Sequence, residues 1–317
     1  MWARWCKRRP NVYPVITVPD DAADSTEQLG TKPKFWFRDD AGHRCLFKQG
    51  RPGTGENWAE KVSAELCGLL GIPHAHYDLA VWRDQAGVVS PSFVPEDCRL
   101  VLGNELLARL VKRYAETQYY QQAGHTIGRV FAVLRDPAVQ APASWEGNVA
   151  IRSAAHVFVG YLMLDALIGN TDRHHENWGL IVGPGHTGPE TWLAPTFDHA
   201  SSLGRNEGEQ RMVERMNTRD PQFSVAGYAQ RARSALYRST KDVRPLSTLD
   251  AFDNAGRRFP KVAVAWVSRL RELRDESIRK IVEQIPPAFI STTARTFALQ
   301  VVAANAKRLC LAAEATK

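Results

Sequence analysis

The chain has 317 residues, of which 44% are apolar and 24% charged, and it carries a formal net charge of +7. That length suffices for two lobes, and the balance is that of an ordinary soluble globular protein. The mild positive charge is read equally as a solubility device and as an affinity for phosphates or acidic partners, and it falls short of an arginine-rich nucleic-acid arm. Cys6, Cys45, Cys67, Cys98 and Cys310 are scattered, odd in number and form no C-x-x-C pair. This argues against a disulfide framework or structural zinc and for a reducing, cytoplasmic setting. The basic first residues lack a following apolar run, so no signal peptide is expected. No stretch approaches the roughly eighteen apolar residues of a membrane span.

In chain order, residues 13–18 form a short β-branched run suited to an edge strand, and 20–28 form a polar, acidic loop. Residues 35–38 and 43–48, joined by the turn Asp39, Asp40, Ala41 and Gly42, predict a β-hairpin. Alternation puts Leu46 and Lys48 on one face and Cys45 and Phe47 on the other. The glycine-rich stretch 50–55 lacks the Lys-Ser/Thr ending of a Walker loop and reads as a plain connection. Residues 57–70 are a helix, with Asn57 as N-cap, Glu60 at the capping-box position and Gly71 as the stop. Strands follow at 76–82 and 88–94. Pro91 and Pro95 flank Ser92, Phe93 and Val94, which read as an interlobe hinge.

From Leu100 the character turns helical, with helices expected over 104–114, 126–134 and 153–168 and a loop over 136–147. Helix 153–168 is apolar at helical spacing and ends at Gly169. A polar cluster follows, and Trp178 to Val182 resume as a short strand. Polar groups pinned between a buried helix and a buried strand are held rigidly, as catalysis requires. Asp172 and Asn177 reproduce the spacing of a kinase catalytic loop, in which an Asp takes the acceptor's hydroxyl proton and an Asn holds Mg²⁺. Residues 192–201 read as a strand delivering Asp198 to a turn, where it would be the other metal ligand; one Asn and one Asp suit Mg²⁺. Each acid taken alone is equally a turn or capping residue. Residues 201–220 are a polar segment, either an activation-type loop or a surface loop. Helices are expected over 222–236, 260–273, 277–284 and 293–311. Arg231, Arg233 and Arg238 could meet an acidic substrate, although a solvated helix face is the plainer reading.

The loop Asn170, Thr171, Asp172, Arg173, His174, His175, Glu176, Asn177, taken with Ala194, Pro195, Thr196, Phe197 and Asp198, resembles the HipA-like serine/threonine kinases. Its Asp-Arg-His-x-x-Asn core also looks like that of the phosphoinositide kinases. The resemblance runs from about Leu29 to the C-terminal helices. It implies an α+β, bilobal protein-kinase-like fold, with a β-rich N-terminal lobe over 1–97 and a larger, mostly helical lobe over 98–317. It implies an ATP- and Mg²⁺-dependent phosphotransferase whose acceptor is a protein Ser/Thr hydroxyl, with no stable nucleic-acid partner. A lipid acceptor or an inactive kinase-like binding module remains as an alternative. Gly30, Thr31 and Lys32 match the family's phosphate loop, and Lys48 its ATP lysine. Glu60, or alternatively Glu65, would pair with that lysine. The backbone of Phe93 and Val94 would meet the adenine. His174 follows the motif and would brace the loop, whereas His175 and Glu176 have no family role and are expected at the surface. Toxin members carry an additional N-terminal domain, for which there is no room ahead of Leu29. They also carry an autophosphorylated Ser before the phosphate loop. Glu27 stands there in this chain, with Ser25 and Thr26 adjacent as candidates for self-modification. A metal-dependent hydrolase built on Asp172, His174, His175 and Asp198 is the rival class; it lacks a His-Glu-x-x-His pattern and leaves Lys48 unexplained.

Overall fold

The structure, a computed structural model, describes residues 12–22, 33–118, 121–185 and 188–314, and the backbone of 25–26. Gly30, Thr31, Lys32 and Glu27 lie outside the described residues. Strands β1 (Val15–Thr17), β2 (Ser25–Thr26), β3 (Lys34–Arg38), β4 (Arg44–Gln49), β5 (Asp78–Trp82) and β6 (Gln85–Pro91) form a sheet in the order β1-β5-β6-β4-β3-β2. β1 is the parallel edge strand on β5, and the other pairings are antiparallel. The hairpin alternates as its sequence requires. Cys45 and Phe47 join Phe35, Phe37 and Val89 in a small core on one face of the sheet, with Phe35 and Phe47 ring centroids 5.2 Å apart.

The other face is covered by α1 (Glu56–Leu70), which packs on β5 and β6 and also meets α9 (Asp275–Glu283). Sandwiched on two sides, α1 buries polar residues as well as apolar ones. It starts one residue before the expected N-cap: Gly55 caps it, Asn57 lies inside it, and Gly71 closes it in the left-handed conformation at φ 64°. Glu60 is therefore no capping-box residue. Its neighbour Lys61 is buried among Glu65 at 2.8 Å, Asp78 at 3.1 Å and the Tyr13 ring. Glu65 is thereby committed to Lys61.

The C-terminal part is mostly helical around a second sheet. This sheet comprises β7 (Arg99–Leu102), β8 (Val139–Gln140), β9 (Gly179–Gly185) and β10 (Gly188–Leu193), in the order β7-β9-β10-β8. Its helices are α2 (Gly103–Leu110), α3 (Ile127–Leu134), α4 (Ala154–Ile168), α5 (Glu209–Asn217), α6 (Val225–Gln230), α7 (Thr248–Arg258), α8 (Pro260–Glu272), α9 and α10 (Thr292–Glu314). Every residue of α4 except His156 is buried, as expected of a helix apolar all round. Gly160 lets the Trp266 ring of α8 lie directly on α4, where an added Cβ would come within 2.5 Å of the ring. The main core runs without interruption from Trp58, Val62 and Leu66 of α1 to Leu164 and Leu167 of α4 and Phe297 of α10. The result is the expected α+β, kinase-like division into a sheet-rich N-terminal part and a helical C-terminal part.

Several expected elements differ. Ser25 and Thr26 are not in a loop: their backbone pairs with Trp36 and Phe35 of β3. β7 precedes the first helix of the C-terminal part, and β8 lies within the stretch read as a loop. The helix expected over 222–236 shrinks to α6, because residues beyond Arg231 pair with neighbours far along the chain: Ser234 N donates to Leu246 O and Tyr237 N to His125 O. Arg231, Arg233 and Arg238 are thus exposed on a loop rather than on a helix face. The segment after Asp198 turns tightly and then forms the largely exposed α5 rather than staying irregular throughout. Cys45, Cys67, Cys98 and Cys310 are free thiols. No helix among the described residues is long and apolar enough to cross a membrane.

Candidate active site

The loop between α4 and β9 is built on a buried ion pair. Asp165 sits at 1% exposure inside α4, and Arg173, in the loop, is fully buried. An unpaired charge there would be prohibitively costly, so the two form a fork. Arg173 Nε donates to Asp165 Oδ2 at 2.8 Å and its terminal nitrogen to Oδ1 at 2.8 Å. The same guanidinium donates to Asn177 O at 2.7 Å and to Thr196 Oγ1 at 2.9 Å. One side chain thus fixes α4, the loop and the segment after β10. Asn170 Nδ2 also donates to Asp165, and Asn170 Oδ1 accepts from Asp172 N at 3.1 Å.

On this frame the expected site residues take their places. Asn177 Nδ2 donates to Asp172 O at 2.6 Å, while its side-chain oxygen accepts no hydrogen bond among the described residues. Asp198 adopts φ 59°, a left-handed conformation that Asp tolerates better than most residues. Its N–H donates to Tyr77 Oη at 3.2 Å, and its carboxylate lies 3.2 Å from Lys48 Nζ. Burial works against the Lys48 ammonium, but Asp198 foremost, with Tyr77 and Glu60, outweighs it and raises the lysine's pKa. Lys48 therefore stays charged. Its ion-pair partner is Asp198, not Glu60 as expected. Glu60, at 1% exposure, accepts from His199 N at 2.6 Å and lies 3.3 Å from His199 Nδ1. His199 Nε2 meets Thr196 Oγ1 at 2.8 Å. A buried chain of Glu60, His199, Thr196, Arg173 and Asp165 therefore ties α1 to α4 through the segment that carries Asp198.

A second link reaches Asp172. Glu56, the first residue of α1, is ion-paired to Arg205, and Gly55 N donates to Arg205 O at 2.9 Å. Arg205 donates to Ser201 Oγ at 2.9 Å, and Ser201 Oγ donates to Asp172 Oδ2 at 3.3 Å. Burial raises the Asp172 pKa, and Asp198 adds to it; His174, Arg205 and the Ser201 hydrogen bond act against the shift. His174 Nε2 is 3.8 Å from Asp172 Oδ1, and its Nδ1 accepts from Glu176 N at 3.2 Å, a bracing position as expected. Burial pulls the His174 pKa down against the pull of Asp172 and Asp198. Phe93, expected in the hinge, stacks on Phe197 with centroids 5.4 Å apart and so borders the Asp198 segment.

His175 is a correction. It is 1% exposed rather than at the surface, with Nδ1 2.8 Å from Tyr114 Oη and its ring beside His125. The segments after α2 cover this side of the loop, and burial depresses the His175 pKa to about 4 and that of His125 to about 3. Glu176 is half-buried and accepts from Asn104 Nδ2 at 3.1 Å. His175 is thus engaged with Tyr114 and His125, and no group of three or more His, Cys, Asp or Glu side chains among the described residues is placed to hold a metal. The hydrolase constellation is not assembled. A donor pair of Asn177 and Asp198 oxygens, by contrast, fits a hard cation that keeps most of its ligands as water and phosphate.

The frame residues Asp165, Arg173, Thr196, His199, Glu56 and Arg205 are not among the site residues expected from the sequence, although Arg173 and Thr196 stand inside the two motifs. Asp165 carries a further signal: a carboxylate inside an otherwise apolar helix demands a buried cationic partner.

A family model described as the HipA-like C-terminal domain matches residues 27–288. Among solved structures the chain is similar to the Helicobacter pylori proinflammatory kinase CtkA, at 15% identity over 96% of this chain and 98% of that one, with a TM-score of 0.68. It is also similar to Shewanella oneidensis HipA, solved with HipB and operator DNA. That match has 13% identity over 92% of this chain and 67% of that one, and a TM-score of 0.57. At these identities the likeness is one of fold. No curated protein sequence matches the chain.

Proposed function

We propose that this chain, which belongs to the HipA-like C-terminal domain family, is an ATP-dependent phosphotransferase acting on a Ser or Thr hydroxyl of a protein. The observation that carries this reading is the meeting of a charged lysine and an acid, Lys48 and Asp198, beside a rigidly framed Asp172 and Asn177. Phosphoryl transfer asks for positioning and charge neutralisation more than for covalent chemistry, and this site offers both. Lys48 would hold phosphate oxygens. Asp172, its carboxylate oriented by Ser201, would orient the acceptor hydroxyl and take its proton. Asn177 and Asp198 would hold Mg²⁺, which when bound neutralises charge on the phosphate oxygens. The backbone of Phe93 and Val94 would border the adenine. Glu60 would act as a positioning residue, holding the Asp198 segment through His199. The form of the 194–198 segment, closer to the HipA-like pattern than to that of the phosphoinositide kinases, supports a protein acceptor over a lipid.

Ligand that binds only the folded state stabilises it by about 2.7 kcal/mol at a hundredfold excess over Kd. Mg-ATP is therefore expected to raise the melting temperature of the wild-type chain. Lys48→Ala and Asp198→Asn should each lose most of that rise, because each removes one half of the phosphate-and-metal clamp. The check is a melting scan of the three proteins with and without Mg-ATP. A wild-type chain that does not respond to millimolar Mg-ATP, yet responds to a transition metal alone, would favour the hydrolase.

A further inference from the structure

A cavity of about 230 Å³ opens beside the catalytic loop, between the end of α4, the turn after Asp198 and α6. Thr171, the residue before Asp172, forms part of its wall, and none of Lys48, Asn177 and Asp198 lines it. It is smaller than the roughly 300–1,000 Å³ of small-molecule sites, so it suits one side chain rather than a cofactor. Ile168, Leu203 and Val301 back its floor at 1% exposure or less, and the half-buried Tyr228 and Ala232 supply its apolar wall. The charged residues lining it are Arg215 and Arg231, and no carboxylate among the described residues lines it.

The two arginines differ. Arg215 is held in place, donating to Glu207 Oε1 at 2.8 Å and Phe223 O at 2.9 Å and lying over the Tyr228 ring. Its charge is largely offset by Glu207. Arg231 is exposed, donates to Gln222 O at 2.6 Å, and has no carboxylate within ion-pair distance among the described residues. The cavity thus presents an apolar wall and a guanidinium without a carboxylate in ion-pair distance among the described residues. A guanidinium fork recognises a carboxylate bidentately, and a glutamate combines that head with an aliphatic stem.

We propose that this cavity is an acceptor subsite, taking a glutamate side chain of a protein substrate close in sequence to the hydroxyl that meets Asp172. The assignment rests on the phosphotransferase reading. Thr171 lines the cavity and adjoins Asp172 in the chain, so the cavity lies one residue from the carboxylate that would orient the acceptor hydroxyl.

The test uses the full chain and fluorescent peptides in which the acceptor Ser is replaced by Ala. Glu or Gln is placed at each flanking position in turn, and binding is read by anisotropy. At one position Glu is expected to bind about tenfold tighter than Gln, the scale of a hydrogen bond to a charged group. Arg231→Glu should abolish that preference, and Arg231→Lys should retain part of it. Equal binding of Glu and Gln peptides at every position overturns the subsite, as does an Arg231→Glu variant that weakens both peptides alike. Melting scans with Mg-ATP on the same samples separate the two readings. A Mg-ATP shift without a Glu preference overturns the subsite alone. A missing shift overturns the phosphotransferase reading and the subsite's acceptor role with it.

Discussion

Asp172→Asn is expected to lower phosphoryl transfer by about 10²–10⁴-fold, the usual weight of a general base, while keeping the fold and Mg-ATP affinity. The replacement keeps the shape and leaves an oxygen for the Ser201 hydroxyl, so the loop held by Arg173 need not move. Lys48 pairs with Asp198, not with Asp172, so the nucleotide clamp is untouched. The pH dependence has a definite sign. Burial raises the Asp172 pKa, and a base works only when deprotonated. As pH falls, the rate should therefore drop at a higher pH than an ordinary aspartate, near about 3.9, would give. Transfer rate and Mg-ATP affinity measured side by side for Asp172→Asn and Asp198→Asn check the assignment. Equal loss of Mg-ATP affinity in the two variants would show that the two acids have been given each other's roles.

Arg173→Ala is expected to destabilise the protein by about 3–5 kcal/mol, the scale of breaking a buried ion pair from one side. Asp165 would lose its buried cationic partner at 1% exposure, and Asn177 O and Thr196 Oγ1 would each lose a donor. Replacing both members by apolar residues, Asp165→Leu with Arg173→Met, should recover part of the loss, because the orphaned charge is gone. Transfer should stay low in the double variant, since the guanidinium that links Asn177 O to Thr196 is lost. Denaturant unfolding gives the stabilities. A loss in Arg173→Ala of less than about 1 kcal/mol, the scale of a solvent-exposed pair, would contradict a buried fork.

What could be read from the sequence was what repeats locally. The hairpin of β3 and β4 showed in its alternation, α4 in its unbroken apolar character, and the site in the spacing of Asp172 and Asn177. What could not be read depends on partners distant along the chain. Glu56 meets Arg205 across 149 positions and Glu60 meets His199 across 139, and no periodicity encodes either meeting. Glu60 stood at a capping-box position in the sequence, and the residue facing it appears only once α1 is packed. Helix α7 was missed because its buried face, Ala251, Ala255 and Gly256 around Phe252, consists mostly of small residues. Its one local mark was Ser247, whose side chain accepts from Asp250 N. His175 looked like a surface residue because a polar loop hides which of its members the next segment will cover. The expected phosphate loop of Gly30, Thr31 and Lys32 lies outside the described residues.

The most direct test of the phosphotransferase assignment is the transfer of labelled γ-phosphate from Mg-ATP by the wild-type chain, offered lysate protein and, separately, lipid vesicles. Label is expected in the protein fraction and absent from the lipid. A folded wild-type chain that labels neither fraction would contradict the assignment of Lys48, Asp172, Asn177 and Asp198 to phosphoryl transfer.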